Sequence, residues 1–393
     1  MQKVINSKFL QYLPFIFLLG PFFLEIYFFL LFILNIRNVN FRLTNHNIIL
    51  VFFFLSILIS SLLTEHNVST FKGISYLRFL IYLIILETVI KLDKSSLEKF
   101  CKSALTVISI LIIYNLYQII TEHNLDDHRT TLPIRLEPIA GSFITYFSAY
   151  IIPYIIWNFT SRDKNIYVTS ITILIITIAC IMSGERISSI VLISMIVILT
   201  ILKSKKLFLI ILISMISITV FINQFDNSRI KYIEKRIYSF SQDVKNFENS
   251  IWYHHFYAAK KSWEENKIFG NGVRSFRIEC NKYRDIKKNA CSSHPHNIYL
   301  ELLSEVGLIG FFSFIILIIN LIYKSLFVIV LNFNNKSIEF YLLLGLFSYL
   351  TVNYFPIKSF GSFFNNFNSF GFWTIFYFIS TISIKFKKNR ITN

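Results

Sequence analysis

Charged residues are scarce in this sequence of 393 residues, of which 54% are hydrophobic and only 16% are charged. A soluble domain of this length needs more polar surface, so a single soluble globular domain is excluded. Lys and Arg nevertheless outnumber Asp and Glu by 39 to 22, which gives a formal net charge of +17. Because long apolar runs separate these charges, the excess does not indicate a nucleic-acid-binding surface.

The N-terminus lacks the small residues that mark a signal-peptide cleavage site. Its apolar run continues to Ile36 instead, which predicts an uncleaved first membrane segment. Gly20 and Pro21 interrupt this run in the middle. Because Pro removes a helix hydrogen bond and Gly loosens the backbone, a tight helical hairpin is favoured over one long span.

Apolar segments long enough to cross a bilayer recur along the chain, since a span needs roughly 20 mostly apolar residues. With the first segment counted as a hairpin, they predict an all-α polytopic membrane protein of about 12 transmembrane helices. The segments lie near 10–36, 48–63, 74–90, 103–121, 140–159, 166–183, 187–202, 207–224, 298–323, 338–353 and 369–384.

Lys and Arg are distributed unevenly over the short connections between these segments. One set of alternate connections holds seventeen of them, and the other holds five, or six with Arg78. By the positive-inside rule the rich side is cytoplasmic, which puts the long segment 225–297 on the other side of the membrane. The chain then divides into N-terminal transmembrane helices over 1–224, a large periplasmic loop over 225–297, and C-terminal transmembrane helices over 298–393.

The loop 225–297 concentrates the residues that can do chemistry. It holds four of the eight histidines and two of the four cysteines. For these two, Cys280 and Cys291, an oxidising exterior favours a disulfide over two free thiols. The stretch Ser250–Lys267 predicts an amphipathic helix. Its apolar face is formed by Trp252, Phe256, Ala259 and Trp263.

Two motifs lie in the C-terminal part of this loop. Gly270 and Gly272 suit a tight turn with exposed backbone amides. Further along, Asn297 is placed to cap the helix that begins at Ile298, directly after His296. Because unpaired amides and the helix dipole attract phosphate at a helix N-terminus, the sequence predicts an anion site here.

Three sequence elements, in this order, resemble the O-antigen ligase/polymerase superfamily of bacteria. The last of them is the most specific, because it matches the signature of the O-antigen ligases. The resemblance covers residues 165–325 in detail and the rest of the chain in topology only. The elements are Ser183-Gly184-Glu185-Arg186, Gly270-x-Gly272 and His296-Asn297-x9-Gly307-x-x-Gly310.

This resemblance implies a class C glycosyltransferase of the bacterial inner membrane, with its active site facing the periplasm and membrane lipids around it. The implied donor is an undecaprenyl-pyrophosphate-linked glycan. In the ligase branch, which is favoured, the acceptor is the lipid A–core sugar, whereas the polymerase branch extends lipid-linked repeat units. No cofactor, no metal and no nucleic acid is implied, and no external loop carries a spaced Asp-x-Asp pair that could hold a divalent ion.

The resemblance also implies roles for individual residues. His296 is the expected catalytic residue, either as the base for the acceptor hydroxyl or as a hydrogen-bond partner of the pyrophosphate. The leaving pyrophosphate needs cations, and Arg is the side chain suited to bidentate phosphate contact. The expected cations are Arg186, Arg274 and Arg277, and the supporting residues are His294, Asn297, Gly270, Gly272, Gly307 and Gly310.

The start of the amphipathic helix departs from the family pattern. Many relatives have an arginine just before the tryptophan of this helix, where this chain has Ser250 and Ile251. We expect His254 or His255 to take its place.

A secondary transporter or flippase is the alternative from a different functional class, because twelve spans fit it as well. Transporters usually show paired broken helices near the membrane midplane. The break at Gly20 and Pro21 has no counterpart in the second half of the chain.

Overall fold

The computed structural model describes residues 2–36, 45–90, 92–123, 129–162, 165–222, 228–284 and 290–392. These residues form helices joined by loops, without a β-strand, so the prediction of an all-α fold is confirmed. The parts of the predicted segment 207–224 and loop 225–297 that fall on 223–227 and 285–289 lie outside the described residues.

The helices follow one another with short connections, and three of them lie within the predicted loop. In chain order they are α1 (Gln2–Leu19), α2 (Pro21–Asn35), α3 (Asn45–Leu63), α4 (Asn67–Tyr76), α5 (Arg78–Val89), α6 (Lys94–Thr121), α7 (Ala140–Arg162), α8 (Ile166–Met182), α9 (Arg186–Lys203), α10 (Lys205–Ile222), α11 (Ser228–Lys245), α12 (Ile251–Glu265), α13 (Phe276–Glu279), α14 (Ile298–Leu331), α15 (Ile338–Asn353) and α16 (Asn366–Thr392).

The apolar helices make this a multi-pass membrane protein. By length and composition, six helical stretches of the described chain are able to cross a membrane, and five shorter apolar helices accompany them.

Two predicted boundaries change. The segment predicted at 74–90 is preceded by α4, which leads into α5 with only Leu77 between them, and α11 occupies a part of the loop for which the sequence predicted no helix.

The first apolar run folds back on itself. Gly20 has a φ of 112° and separates α1 from α2. The Tyr27 hydroxyl donates a hydrogen bond to the Phe9 carbonyl. A straight helix would hold these residues about 27 Å apart, at 1.5 Å per residue. The predicted hairpin is therefore confirmed.

The bundle core is built around α7, which is buried on nearly all sides. A helix that is apolar all round belongs in the interior. Phenylalanines fill the space around it. Phe143, one turn inside α7, stacks on Phe367 at the start of α16, with ring centroids 5.3 Å apart. The N-termini of α7 and α16 therefore share one end of the bundle, which is here called the site end.

The amphipathic helix forms, but the predicted buried face was wrong. Ser250 caps α12 by accepting the Tyr253 N–H. The buried residues are not the large aromatics but His255, Ala258, Ala259 and Ser262. Because α12 packs against α14, small side chains allow the two backbones to approach closely, and the tryptophan and phenylalanine rings are left half-buried at the sides of the contact.

Candidate active site

The N-terminus of α14 is fixed by Asn297. Its side-chain oxygen accepts hydrogen bonds from the backbone N–H groups of Tyr299 and Leu300, at 3.0 and 3.1 Å. Its amide nitrogen donates to the Pro356 carbonyl at 2.7 Å. One side chain thus caps the helix and attaches the loop between α15 and α16 to it.

His296 lies in a cluster of rings directly before this cap. Its centroid is 4.1 Å from that of His294, 5.2 Å from that of His255 and 5.1 Å from that of Trp252. Its backbone has a φ of 58°, and its carbonyl accepts the Phe360 N–H at 2.8 Å. Because α12, the end of the large loop and the loop before α16 all contact His296, its position depends on three separate parts of the chain.

The environment of this cluster keeps the imidazoles neutral. Burial, together with the neighbouring rings of His294 and His255, lowers the pKa of His296 from 6.5 to about 3. Burial also lowers the pKa of His294 to about 4. The pKa of His255 moves in the same direction, again mainly through burial. At neutral pH all three rings are therefore uncharged and able to accept a proton.

The Gly-x-Gly segment crosses α14 at a break in that helix. Gly307 has a φ of 64° and a ψ of −169°, which are not helical values. A Cβ on Gly307 would lie 2.3 Å from the Ile268 carbonyl oxygen, and one on Gly270 would lie 2.6 Å from the Gly307 nitrogen. Only glycines allow two backbones to cross this closely.

The amides of this crossing segment are not exposed, contrary to the prediction. The Asn271 N–H donates to the Ser304 carbonyl at 3.0 Å, and the Gly272 N–H donates to the Glu305 carbonyl at 2.9 Å. The last turn before the break in α14 supplies these acceptors. The segment therefore fixes the loop to α14 instead of offering amides to an anion. Gly310, one turn further on, lies close to Ser56 of α3.

Two buried glutamates of α14 hold the loops around the site. The Glu305 carboxylate accepts the backbone N–H groups of Arg274 and Phe276, at 2.6 and 3.4 Å. The Glu301 carboxylate accepts the backbone N–H of Phe363 at 2.7 Å. Each is only 1% exposed. One helix thus orders the large loop on one side and the loop before α16 on the other.

Two of the predicted arginines lie close to each other, and one of them, Arg277, lies beside the histidine cluster. The Arg274 guanidinium donates to the Phe364 carbonyl at 3.1 Å. The exposed Arg277 guanidinium donates to the Ser293 carbonyl at 3.4 Å, next to His294. Burial and the charge of Arg277 lower the pKa of Arg274. These two cations are close enough to repel each other, so an anion placed between them would relieve an existing repulsion.

The turn that carries Arg186 is fixed by its neighbour Glu185. The Glu185 carboxylate accepts the Gly141 N–H at 2.6 Å and the Ser142 hydroxyl at 2.5 Å, at the start of α7. Burial raises the pKa of Glu185. The Arg186 guanidinium contacts α11, with the Ser239 hydroxyl 3.5 Å away and the Phe240 ring centroid 5.5 Å away.

The roles expected of Arg186 and His296 require these two residues to meet at one site, and this meeting remains a prediction. Among the described residues, the ring neighbours of His296 lie on α12 and the end of the large loop, whereas the Arg186 contacts given above are with α11. Both residues belong to the site end, because α9 starts beside α7.

Comparison with known proteins identifies the stretch that contains this site. Residues 171–315 match the family model described as O-Antigen ligase. This stretch is similar to the O-antigen ligase family. The predicted superfamily resemblance is thereby confirmed over the stretch. No curated protein sequence matches the chain.

The matched stretch 171–315 contains the Arg186 turn, the crossing glycines, both buried glutamates and the histidine cluster. It supports lipid-linked glycan transfer of the ligase or polymerase type in general. The disulfide lies within it as well. Cys280 and Cys291 are bonded, with their Cα atoms 4.8 Å apart. They close a short loop. Arg277 lies just before this loop and Ser293 lies just after it.

Several residues at the site were missed from the sequence. Glu301 and Glu305 lie one helical turn apart in an otherwise apolar helix, and ionisable residues in such segments usually have a function, so a signal was present. His66 was also missed. Its ring contacts the Glu279 carboxylate at 2.5 Å and connects the matched stretch to the segment between α3 and α4.

Proposed function

We propose that this protein transfers a glycan from an undecaprenyl-pyrophosphate carrier to a sugar hydroxyl of lipid A–core. In this proposal the reaction takes place on the periplasmic face of the inner membrane and needs no metal ion. One observation carries it: neutral His296 and His294 lie beside the cationic Arg277, which in turn lies close to Arg274, at the N-terminal end of a membrane helix. The O-antigen ligase match supports the reaction class.

The reaction needs one bond formed and one broken. The acceptor oxygen bonds to the anomeric carbon of the glycan, while the bond from that carbon to the pyrophosphate oxygen breaks. The hydroxyl proton passes to a base, and the electron pair leaves with the lipid pyrophosphate. The protein therefore has to supply a proton acceptor and positive charge at separate positions, and this cluster contains both.

His296 is the proposed proton acceptor. Its low pKa keeps the imidazole neutral before substrate binds. A pyrophosphate bound next to it would raise this pKa, because a nearby negative charge stabilises the imidazolium. Since general bases work best with a pKa near the working pH, the donor itself would make His296 competent. His294 is the proposed supporting residue, as a second imidazole beside His296. Its buried Nε2 has no hydrogen-bond partner among the described residues.

Arg274 and Arg277 are the proposed binding groups for the leaving pyrophosphate. Their planar guanidinium groups suit two phosphate oxygens at once. Arg186 is the proposed third cation, although its described contacts are with α11. Gly270, Gly272, Gly307, Gly310 and Asn297 support the site by fixing the two loops to α14.

The test uses purified protein in liposomes with an undecaprenyl-pyrophosphate glycan, lipid A–core acceptor and EDTA. We expect transfer by the wild type and a loss of about 10²–10⁴-fold in His296→Ala, the usual contribution of a positioned acid–base group. Arg186→Lys should also lose activity, because a point charge does not replace a bidentate guanidinium. The matched control is His123→Ala, since His123 is exposed at the end of α6.

The reaction products distinguish the ligase branch from the polymerase branch. Glycan on lipid A–core supports the ligase, whereas longer lipid-linked chains without core transfer would make the protein a polymerase. Near wild-type transfer by both His296→Ala and Arg186→Lys would remove these residues from the mechanism. Transfer that stops when EDTA is added would contradict the metal-free reaction.

A further inference from the structure

A groove of about 480 Å³ lies between α2, α5 and α16, outside the matched O-antigen ligase stretch. Its floor is aromatic, because Phe28, Phe79 and Phe370 line it and are each at most 5% exposed. Its rim is open, with Ile26 41% and Phe29 63% exposed. A groove of this volume is within the roughly 300–1,000 Å³ range of ligand sites.

One end of this α2–α5 groove is polar. The Arg78 guanidinium lies there and donates to the Asn366 side-chain oxygen at 2.7 Å and to the Ser75 carbonyl at 2.6 Å. It lies 3.2 Å from the Glu25 carboxylate. Its Nε is buried and has no hydrogen-bond partner among the described residues.

The polar end of the groove adjoins the candidate active site. Asn366, which contacts Arg78, comes two residues after Phe364, whose carbonyl accepts the Arg274 guanidinium. The positive charge of Arg78 is also among the influences that lower the pKa of Arg274. Arg78, Arg274 and Arg277 therefore form a row of cations that leads from the head of the groove to His294.

We propose that the α2–α5 groove binds the isoprenoid tail of a polyprenyl pyrophosphate, with Arg78 contacting its phosphate. This inference rests on the proposed function, because it places the donor of that reaction. The groove offers mainly aromatic and aliphatic surface along its length, and Arg78 and Glu25 lie at the end nearest the reaction. An amphiphile with a long apolar tail and an anionic head matches both features.

Glu25 does not prevent this binding. The Arg78 and Glu25 side chains are 31% and 41% exposed. An ion pair this exposed contributes little to stability, so a pyrophosphate carrying more charge is able to replace the carboxylate. Glu25→Gln should therefore strengthen binding, because it removes the competing anion from Arg78.

The test measures binding of glycan-free undecaprenyl pyrophosphate to the purified full-length protein in detergent by native mass spectrometry. Arg78→Gln removes the phosphate contact, and Ile26→Trp fills the groove. We expect Arg78→Gln to weaken binding at least about tenfold, as the loss of a hydrogen bond to a charged group does. Ile26→Trp should also weaken binding, because the indole ring occupies the space of the tail. The controls are Lys72→Gln on α4 and Ile33→Trp on the exposed part of α2 outside the groove. Both should bind like the wild type.

If Ile26→Trp fails to fold, Ile81→Trp fills the groove from the opposite wall on α5. Unchanged binding in Arg78→Gln and in the folded Trp variant would overturn the proposal. Equal binding of phosphatidylglycerol, with competition between the two lipids, would make this an ordinary lipid groove and would overturn it as well. Selective binding by a wild type that transfers no glycan would support the groove while removing the proposed function.

Discussion

The carboxylate of Glu305 accepts a hydrogen bond from the backbone N–H of Arg274 at 2.6 Å. Arg274 has a φ of 60°, in the left-handed region that is uncommon for a residue with a side chain. The buried acid therefore does not neutralise the arginine through its guanidinium. It holds the backbone turn from which that guanidinium reaches Phe364, and leaves the positive charge directed away from α14.

Replacing Glu305 with Ala should destabilise the protein and reduce transfer. Two backbone N–H groups lose their acceptor while remaining buried, and each such loss costs roughly 1–3 kcal/mol. Glu305→Gln keeps one acceptor oxygen and should lose less. The measurement is size-exclusion chromatography after heating, combined with the transfer assay. Glu248→Ala, at an exposed position of the same loop, should change neither. An Ala variant with wild-type stability would show that Glu305 does not hold the loop.

Gly307→Ala should disrupt the crossing of the large loop over α14. The new methyl group would lie 2.3 Å from the Ile268 carbonyl oxygen, at a φ that alanine rarely adopts. We expect a lower yield of folded protein and easier proteolysis of the loop. Gly361→Ala is the control, because its methyl group would meet only the end of the Asn368 side chain. Equal protease resistance of the two variants would argue against the backbone crossing.

Stability should fall as the pH drops below about 6.5, the ordinary pKa of histidine. The folded protein keeps His296 and His294 neutral down to pKa values of about 3 and 4. The unfolded chain takes up protons from pH 6.5 downwards, so this stabilisation is complete above pH 6.5 and is lost as the pH falls. Between pH 7.5 and pH 5 the loss is about 2 kcal/mol per histidine, because below pH 6.5 each pH unit removes about 1.36 kcal/mol.

Melting temperatures at pH 7.5 and pH 5 of the wild type and of a His294→Asn, His296→Asn double variant measure this effect. The variant should lose less stability on acidification. If both proteins respond equally, the two histidines do not govern the acid sensitivity.

The orientation is tested with single cysteines. In intact cells with a permeabilised outer membrane, a membrane-impermeant maleimide should label cysteines introduced at Lys245 or Lys282. It should reach Lys94 or Lys205 only after the inner membrane is opened. All four positions are exposed. The native thiols are silent, because Cys101 and Cys180 are buried and the other two are bonded. Labelling of a cysteine at position 94 in intact cells would contradict the predicted orientation.

Local features of the fold were predictable from the sequence. The hairpin follows from Gly20 and Pro21, whose effect on the backbone is independent of distant contacts. The cap of α14 follows from Asn297 for the same reason. The all-α class follows from the length of the apolar runs.

Features that depend on contacts between distant segments were not predictable. Periodicity favoured an apolar face for α12 that is mainly aromatic, but of its members only Ala259 is buried, beside His255, Ala258 and Ser262, because α14 packs closely there. Gly307 was recognised as part of a motif, but the motif does not show that a crossing backbone breaks the helix there. His296 was expected to meet Arg186, and its observed ring neighbours come from α12 and the end of the loop. The spacing of residues along the chain does not predict these contacts.

The two glutamates of α14 also set an order of events during synthesis. The groups that Glu305 binds, at Arg274 and Phe276, have already left the ribosome when α14 emerges. Those that Glu301 binds follow 61 and 62 residues later, at Ser362 and Phe363. This helix is the most apolar of the six long candidate spans. It is therefore able to enter the membrane before the hydrogen-bond partners of the Glu301 carboxylate have been synthesised. The active site is therefore completed only when translation has passed the last extramembrane loop.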